Sequence, residues 1–540
     1  GFFGLREVTN LTSYASAAKC GLCTITVELS SQYLKLHPQP ISSFIKNNLC
    51  ALFTETTINL ICKQLIGFYG DELVEMMLNE VNSDDICHRL PNVCTNPTCR
   101  LHPNTIAGES LKKYLQNKKT PIFRRYSQMK GFDPWAILNE LFQRFGSEHL
   151  PVVDEDGDLF STFPQMRGTY WRGKDCNDNN AQIYPGRRIN SDSGSDEDHD
   201  CNGIYGTDPE TNRTWEDILC GNTTRIGIGL LGDSVGAHFE IPPEYLTASK
   251  LNLTTYNSVL ANLFNEFDLP HQSAATGFMN TSSSGPVRSI YKYLRDRNRC
   301  NHRDYQNIGV NGAKVSDTAS NVQTLRRNQT TDHPMLMIME LVGNDVCSGP
   351  GGFTDPNAFK QGVLDRLNYF DEILPPGSHV LMFGLVNGSF LYNHLHNETH
   401  PLGVTYKEFY SYLNCLDANP CPGWLTSDDN SRQMTTDAAM ALNAKYREIM
   451  AEGRTYKNFD YAYYEFPVVE IMDSWIAKGG KATDLMEGVD GFHSNQLFNA
   501  LIADWGWKRL QEDLPHWLGE TNPNNDKIIE MFGDQGGYFQ

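Results

Sequence analysis

Two patterns of apolar positions divide the chain. Before about residue 99, apolar residues recur at three- and four-residue spacing in ISSFIKNNLCALF (41–53) and TINLICKQLIGFYGDELVEMMLNE (57–80). That period predicts helices with one buried face. After about residue 223 the pattern changes. RIGIGLLGDS (225–234), PMLMIMELVGND (334–345), SHVLMFGLVN (378–387) and FDYAYYEFP (459–467) are short apolar runs of strand type. AFKQGVLDRLNYFDEIL and TTDAAMALNAKYREIMAEG lie between them and read as helices. Such alternation predicts a parallel sheet with helices on both faces. Active sites in these folds sit at the carboxyl ends of strands. Ser234 and Asn344 each stand just past a predicted strand.

The chain between these patterns has neither period. Residues 100–150 contain LKKYLQNKKTPIFRRYSQMK, with Lys112–Lys113, Lys118–Lys119 and Arg124–Arg125. Paired basic residues in such a linker mark either a solvated face or a protease site; we expect cleavage here. Residues 151–222 are acidic. The expected organisation is therefore a helical unit over 1–99, a basic linker over 100–150, an acidic segment over 151–222 and an α/β unit over 223–540.

Length and charge narrow the options. With 540 residues the chain can bury at least one large core. A formal net charge of −20 argues against nucleic acid as the main partner, because phosphate neutralisation needs a basic face. No apolar run reaches the roughly 18–20 residues that a membrane span requires. The sequence begins GFFGLREV, which we read as the start of a processed chain whose leader has been removed. There are 14 Cys, an even number, and glycosylation sequons at Asn10, Asn212, Asn222, Asn252, Asn280, Asn328, Asn387 and Asn397. Together they point to the secretory pathway, with a secreted or endolysosomal destination and a disulfide framework.

Three acidic clusters suggest a hard cation. Asp154, Asp156 and Asp158 occupy alternate positions around Gly157 in VDEDGDLF; GKDCNDNN and DEDHDCNGIYG follow. Alternating carboxylates on a tight turn suit the oxygen-rich shell of calcium, and the bland alternative is a solvated acidic turn. The loop departs from an EF-hand, with Gln165 at the twelfth position. Asp175, Asn177, Asp178, Asp200 and Asn202 complete the candidate ligands for a structural Ca²⁺. A Cys176–Cys201 bridge would draw the second and third clusters together.

Ser234 has two readings. It can cap a helix, or it can be a nucleophile, which requires a base, an orienter and an oxyanion hole. EGVDGFHSNQ supplies Asp490 and His493 three residues apart, so one turn can join carboxylate and imidazole. The stretch GDSVG (232–236) also fits G-x-S-x-G, but that elbow needs several strands before the serine. A basic stretch, VRSIYKYLRDRNRCNHR, can meet headgroup phosphates or simply form a solvated face.

Three resemblances follow from these residues. The N-terminal spacing of Cys20, Cys23, Cys50, Cys62, Cys87 and Cys94 resembles a saposin domain, a small all-helical lipid-handling bundle. Six cysteines allow fifteen pairings; the resemblance implies Cys20–Cys94, Cys23–Cys87 and Cys50–Cys62. The order GDS, NIGVNGA, GND and DxxH resembles the GDSL, or SGNH, hydrolases, which implies an α/β/α flavodoxin-like fold. It also implies Ser234, Asp490 and His493 as catalytic triad, and an oxyanion hole of Ser234 N–H, Gly312 N–H and the Asn344 side chain. Gly309 competes with Gly312. The third block, Val342-Gly343-Asn344, places its glycine directly before the asparagine and departs from the family pattern.

Over nearly its full length, through RGKDCNDNN, LLGDSVGAHF, HRDYQN, GNDVCSG, VDGFH and FGDQGG, the chain resembles the acyloxyacyl hydrolases. That resemblance implies removal of secondary acyl chains from the lipid A of lipopolysaccharide. It also implies two disulfide-linked fragments, with contact to a membrane or micelle surface through the saposin-like part. A broad phospholipase or lysophospholipase with the same triad is the alternative.

Overall fold

The computed structural model describes residues 11–36, 73, 75–90, 93–116, 149–189, 196–252, 254–282 and 285–539. The predicted helix over 41–53, most of that over 57–80, the Cys50–Cys62 pair and linker residues 117–148 lie outside them.

At the N-terminus, helix α1 (Leu11–Leu36) carries Cys20 and Cys23, and the short α2 (Ser83–Arg89) carries Cys87. Disulfides join Cys20 to Cys94 and Cys23 to Cys87. The Asn82 side chain caps α2 by accepting from the Asp84 N–H, which satisfies one of the orphan donors at a helix start. The following chain departs from the expected linker. Asp84 accepts the N–H groups of Leu101 and His102 at 2.9 Å each, and Asp85 pairs with Arg100 at 2.7 Å. Buried carboxylates on α2 thus fasten residues 100–108 to it, so the folded N-terminal part runs past residue 99.

Five parallel strands form the central sheet: β1 (Gly227–Gly232), β2 (Tyr305–Asn307), β3 (Met335–Glu340), β4 (Ser378–Phe383) and β5 (Phe459–Tyr464), in the order β2-β1-β3-β4-β5. Every residue of β1, β3 and β4 is buried, as the uninterrupted apolar runs require of a sheet covered on both faces. Four helices supply much of the cover: α3 (Ile290–Arg297), α4 (Pro356–Ile373), α6 (Asp429–Ala451) and α7 (Gln496–Asp513), with α5 (Tyr406–Cys415) between α4 and α6 in sequence. Consecutive residues of β5 show the layering. Tyr463 stacks on Tyr446 of α6 at 5.2 Å, while Tyr464 meets Trp505 of α7 at 5.9 Å. Side chains of a strand alternate faces, so α6 and α7 lie on opposite sides; α4 packs with α6, and α3 with α7.

The short polar strand β2 carries no periodic signal; it pairs with β1 on one side and with a distant segment on the other. Arg172 bridges to Gln306, Gly173 N–H donates to Tyr305 O at 2.9 Å, and Asn307 N–H donates to Trp171 O at 2.7 Å. The acidic segment thereby covers the sheet edge and removes an open row of donors and acceptors.

Arg327 and Asp304 form a bidentate buried pair at 2.9 Å for both contacts. The guanidinium lies where a Cβ on Gly186 or Gly227 would approach it to 2.2 or 2.3 Å. Removing one partner of such a pair leaves the other charge buried alone. Arg327→Ala should cost about 3–5 kcal/mol of stability, read from denaturant unfolding; a loss under about 1 kcal/mol would show that water reaches Asp304.

Candidate active site

The strand β1 ends at Gly232, and the chain turns at once: Ala237 N–H donates to Asp233 O at 3.0 Å and Phe239 N–H to Ser234 O at 2.9 Å. Within this turn the capping work falls to Asp233. Its Oδ1 accepts the Val235 N–H at 2.9 Å. The Ser234 hydroxyl is left for another partner, and His493 Nε2 lies 2.8 Å from Ser234 Oγ. On the other side of the ring, Nδ1 is 2.5 Å from Asp490 Oδ2. All three side chains are buried.

The turn carrying Asp490 and His493 closes on itself. Asp490 Oδ1 accepts the N–H groups of Phe492 at 2.8 Å and His493 at 3.1 Å. Burial raises the Asp490 carboxyl; the facing His493 and these hydrogen bonds outweigh it and hold the group below its usual range. Glu487 accepts the Val489 N–H at 2.9 Å and the Asp490 N–H at 2.7 Å. Burial, then the adjoining Asp490 carboxylate, push Glu487 well above its ordinary value.

Asn344 follows β3, the strand beside β1. Its Nδ2 donates to Asp233 Oδ2 at 3.2 Å, and the same oxygen accepts the Val342 N–H at 2.8 Å. Asp233 therefore ties the turn after β1 to the turn after β3, at the point where strand order reverses direction. Gly312 is exposed with φ +77°, a left-handed conformation that favours glycine, and a Cβ there would meet nothing within 4 Å. Gly309 is buried instead, its Cβ position 3.1 Å from both Asp233 O and Ala237 N. Among the described residues, neither the Ser234 N–H nor the Gly312 N–H has a hydrogen-bond acceptor.

Ser234 and Asn344 open onto a pocket lined mainly by apolar side chains, among them Val386, Phe390, Leu391, Trp424, Phe466 and Phe498. Trp424 is fully buried, with Nε1 donating to Thr436 Oγ1 at 3.0 Å. It approaches the backbone so closely that a Cβ on Gly388 would fall 2.3 Å from the ring. The disulfide Cys347–Cys421 joins the turn after Asn344 to the chain just before Trp424.

Comparison with known proteins agrees with this geometry. A family model for GDSL-like lipase/acylhydrolase matches residues 228–505, and one for saposin-like type B, region 2, matches residues 61–90. Acyloxyacyl hydrolase from Oryctolagus cuniculus is 37% identical over 96% of this chain and 93% of its own length. The protein of the same name from Homo sapiens is 37% identical over 97% and 94%, and that from Mus musculus 36% identical over 97% and 94%.

The chain belongs to the acyloxyacyl hydrolase family. It is a lipid esterase of the serine ester hydrolase type, with an N-terminal saposin-like domain and a C-terminal GDSL domain. Ser234 follows the first strand of a flavodoxin-like sheet, which is not the setting of a nucleophile elbow. Among the described residues no helix is long and apolar enough to cross a membrane.

The acidic residues divide into two groups. Carboxylate oxygens of Asp154, Asp156 and Asp178 lie within 4.8 Å of one another, as do those of Asp156, Asp158 and Asp175. Burial, and then the neighbouring carboxylates, push Asp158 and Asp175 up to about 7. Asn177 flanks this cluster, its N–H donating to Asp175 Oδ1 at 2.8 Å. Asp200 and Asn202 belong to a different network. Arg225 pairs with both Asp200 and Glu216, and the Asn202 amide donates to Asp200 at 3.0 Å and to Glu216 at 3.1 Å. A fixed guanidinium already answers their charge. Cys176–Cys201 links the two groups, and Cys220–Cys300 and Cys99–Cys415 are also formed.

The basic stretch 288–303 is largely spent on internal contacts. Arg295 pairs with Asp534, Arg288 with Asp504, and Arg303 donates to the carbonyls of Gly536 and Gly537. These residues hold the C-terminal segment.

Sequence reading missed Asp233, Glu487 and Glu340 as parts of the site. Glu340 ends β3 opposite Gly232; burial and then Asp233 push it up to about 8. A carboxyl raised in the folded state stabilises the fold fully below its free pKa of about 4.3, and that contribution is lost as pH rises through about 8. The protein should therefore lose thermal stability between about pH 5 and about pH 8, and Glu340→Gln should flatten that loss. Parallel melting curves for the two proteins across this range would refute the assignment.

Proposed function

We propose that the enzyme hydrolyses acyloxyacyl esters, releasing secondary acyl chains from the lipid A of lipopolysaccharide through a Ser234 acyl-enzyme. The observation that carries this reading is the hydrogen-bonded chain Asp490–His493–Ser234 ending at an apolar pocket. His493 Nε2 takes the hydroxyl proton as Ser234 Oγ attacks the ester carbonyl carbon. The oxyanion is held by the Ser234 N–H, the Gly312 N–H and the Asn344 amide. On collapse, the proton passes from His493 to the departing hydroxyl oxygen of the underlying chain. Water, deprotonated by His493, then attacks the acyl-enzyme, frees the fatty acid and restores Ser234. Asp490 stays ionised and fixes the ring so that Nε2 faces the serine. The pocket excludes water from the acyl chain, and the N-terminal domain shelters the remaining lipid at a membrane or micelle surface.

The relatives' name supports the linkage, and the mainly apolar lining of the pocket supports a fatty acyl occupant. Mass spectrometry of fatty acids freed from purified lipopolysaccharide tests it. Release of only the acyl-linked chains is expected, with turnover falling about 10⁴-fold or more in Ser234→Ala. Intact lipopolysaccharide alongside Ser234-dependent loss of phospholipid chains would replace the substrate and keep the mechanism.

The disulfides and sequons support a secreted or endolysosomal enzyme that entered through the secretory pathway. If the chain is cut within 117–148, the Cys99–Cys415 bond would keep the two pieces together.

We also propose a structural Ca²⁺ held by Asp154, Asp156, Asp158, Asp175 and Asp178. The buried oxygens Asp156 Oδ2, Asp158 Oδ2 and Asp175 Oδ2 have no hydrogen-bond partner among the described residues, and an all-oxygen donor set suits this ion. Its effect would reach the oxyanion loop, because Arg167, close in sequence to the cluster, donates to Gly309 O at 2.8 Å. Chelation should lower the melting temperature, and calcium should restore it better than magnesium. Indifference of the melt to chelator would remove the ion from the structure.

A further inference from the structure

The helix α5 has two differently engaged faces. One meets the N-terminal domain: Cys415 is bonded to Cys99, Glu408 accepts from Asn104 Nδ2 at 2.8 Å, and Tyr412 OH lies 3.5 Å from Cys20 O. The other holds the turn that carries Asp490 and His493. Tyr406 OH donates to Gly488 O at 2.7 Å and Tyr410 OH to Gly491 O at 2.8 Å. A third donor comes from the chain just before the helix, where His400 Nε2 donates to Val489 O at 2.7 Å. Leu402 N–H donates to His400 Nδ1 at 3.1 Å, which fixes that tautomer, and the His400 ring stacks on Phe409 of α5 at 3.9 Å. The fit is close: Gly491 has φ +61°, and a Cβ there would fall 2.5 Å from the Tyr406 ring.

Three carbonyls of one short turn are thus fastened, two to α5 and one to the chain just before it, by side chains outside the pocket lining. The same helix is covalently attached to the lipid-handling domain. We infer that α5 is a strut through which the N-terminal domain positions the Asp490–His493 turn, with Tyr406, Tyr410 and His400 as positioning residues. The inference rests on the triad reading above. The proton relay needs His493 Nε2 within hydrogen-bond reach of Ser234 Oγ, and displacement of a catalytic group by about 1 Å can cost about 10²-fold in rate. Freed carbonyls at Gly488 and Gly491 would let the turn drift by such an amount. Loosening the N-terminal attachment of α5 would do so from the other side.

The test uses the full chain and a soluble short-chain chromogenic ester, whose binding does not call on the lipid-handling domain. Two variants are compared with wild type: Tyr406→Phe with Tyr410→Phe, and Cys99→Ser with Cys415→Ser and Asn104→Ala. Each should lower kcat about tenfold or more while KM stays within about twofold, because positioning is lost and ester binding is not. Gel filtration and thermal melting confirm folding, and the single Tyr406→Phe and Tyr410→Phe variants serve if the double one does not fold. Wild-type kcat in either the tyrosine or the tether variant overturns the strut. Ser234→Ala separates the two readings. If it is inactive while the strut variants keep full kcat, only the strut fails; if it keeps turnover, the triad reading fails.

Discussion

The carboxylate of Asp233 is the tie on which the site depends. It accepts the Val235 N–H, the Val342 N–H and the Asn344 amide from two different strand ends. In a parallel sheet the turns after neighbouring strands diverge where strand order reverses, and that divergence leaves a crevice. A buried anion with donors on both sides holds the crevice at one width. It also sets Ser234 and Asn344 facing a common space; the Ser234 hydroxyl is left to His493, and Asn344 gives Asp233 only one of its two amide hydrogens. Burial pushes its carboxyl above the usual range, and the hydrogen bonds from both turns offset only part of that cost.

Around this tie the protein gathers carboxyl groups in unequal environments. Asp490 faces His493 and is held below its usual range, whereas Glu487 beside it and Glu340 beside Asp233 are pushed upward by burial and by their neighbours. Like charges this close do not both ionise readily. The group opposite the imidazole is pushed toward its charged form, and the others toward the protonated one. A similar division separates the two acidic groups of residues 151–222. Arg225 answers one, while the other presents oxygens with no hydrogen-bond partner among the described residues.

The two domains are joined by more than chain continuity. The Cys99–Cys415 bond crosses between them and lands on α5, whose other face grips the Asp490–His493 turn. The acidic segment plays a comparable part at the β2 edge of the sheet, pairing with β2 and holding Gly309 through Arg167. The GDSL sheet is thus held along its β2 edge, and its Asp490–His493 turn is reached through α5, by elements that precede the sheet in sequence.

The sequence by itself determined the strands β1, β3, β4 and β5, because unbroken apolar runs between helical stretches leave little choice but a sheet covered on both faces. It also marked Ser234, Asn344, Asp490 and His493, since short motifs place reactive groups on turns regardless of distant contacts. It could not show β2, whose three residues carry no period and lie between β1 and the distant residues 171–173. Nor could it separate Asp200 and Asn202 from the other acidic candidates. Alternating carboxylates look the same in sequence whether or not an arginine from farther along the chain meets them, and Arg225 is brought there only by folding. The end of the linker was likewise hidden, because Asp84 and Asp85 draw residues 100–108 onto α2 by hydrogen bonds that leave no periodic trace. Tertiary structure alone decided which buried carboxyls share a neighbourhood, and with it which one stays ionised beside His493, because burial and charge proximity are properties of space and not of spacing.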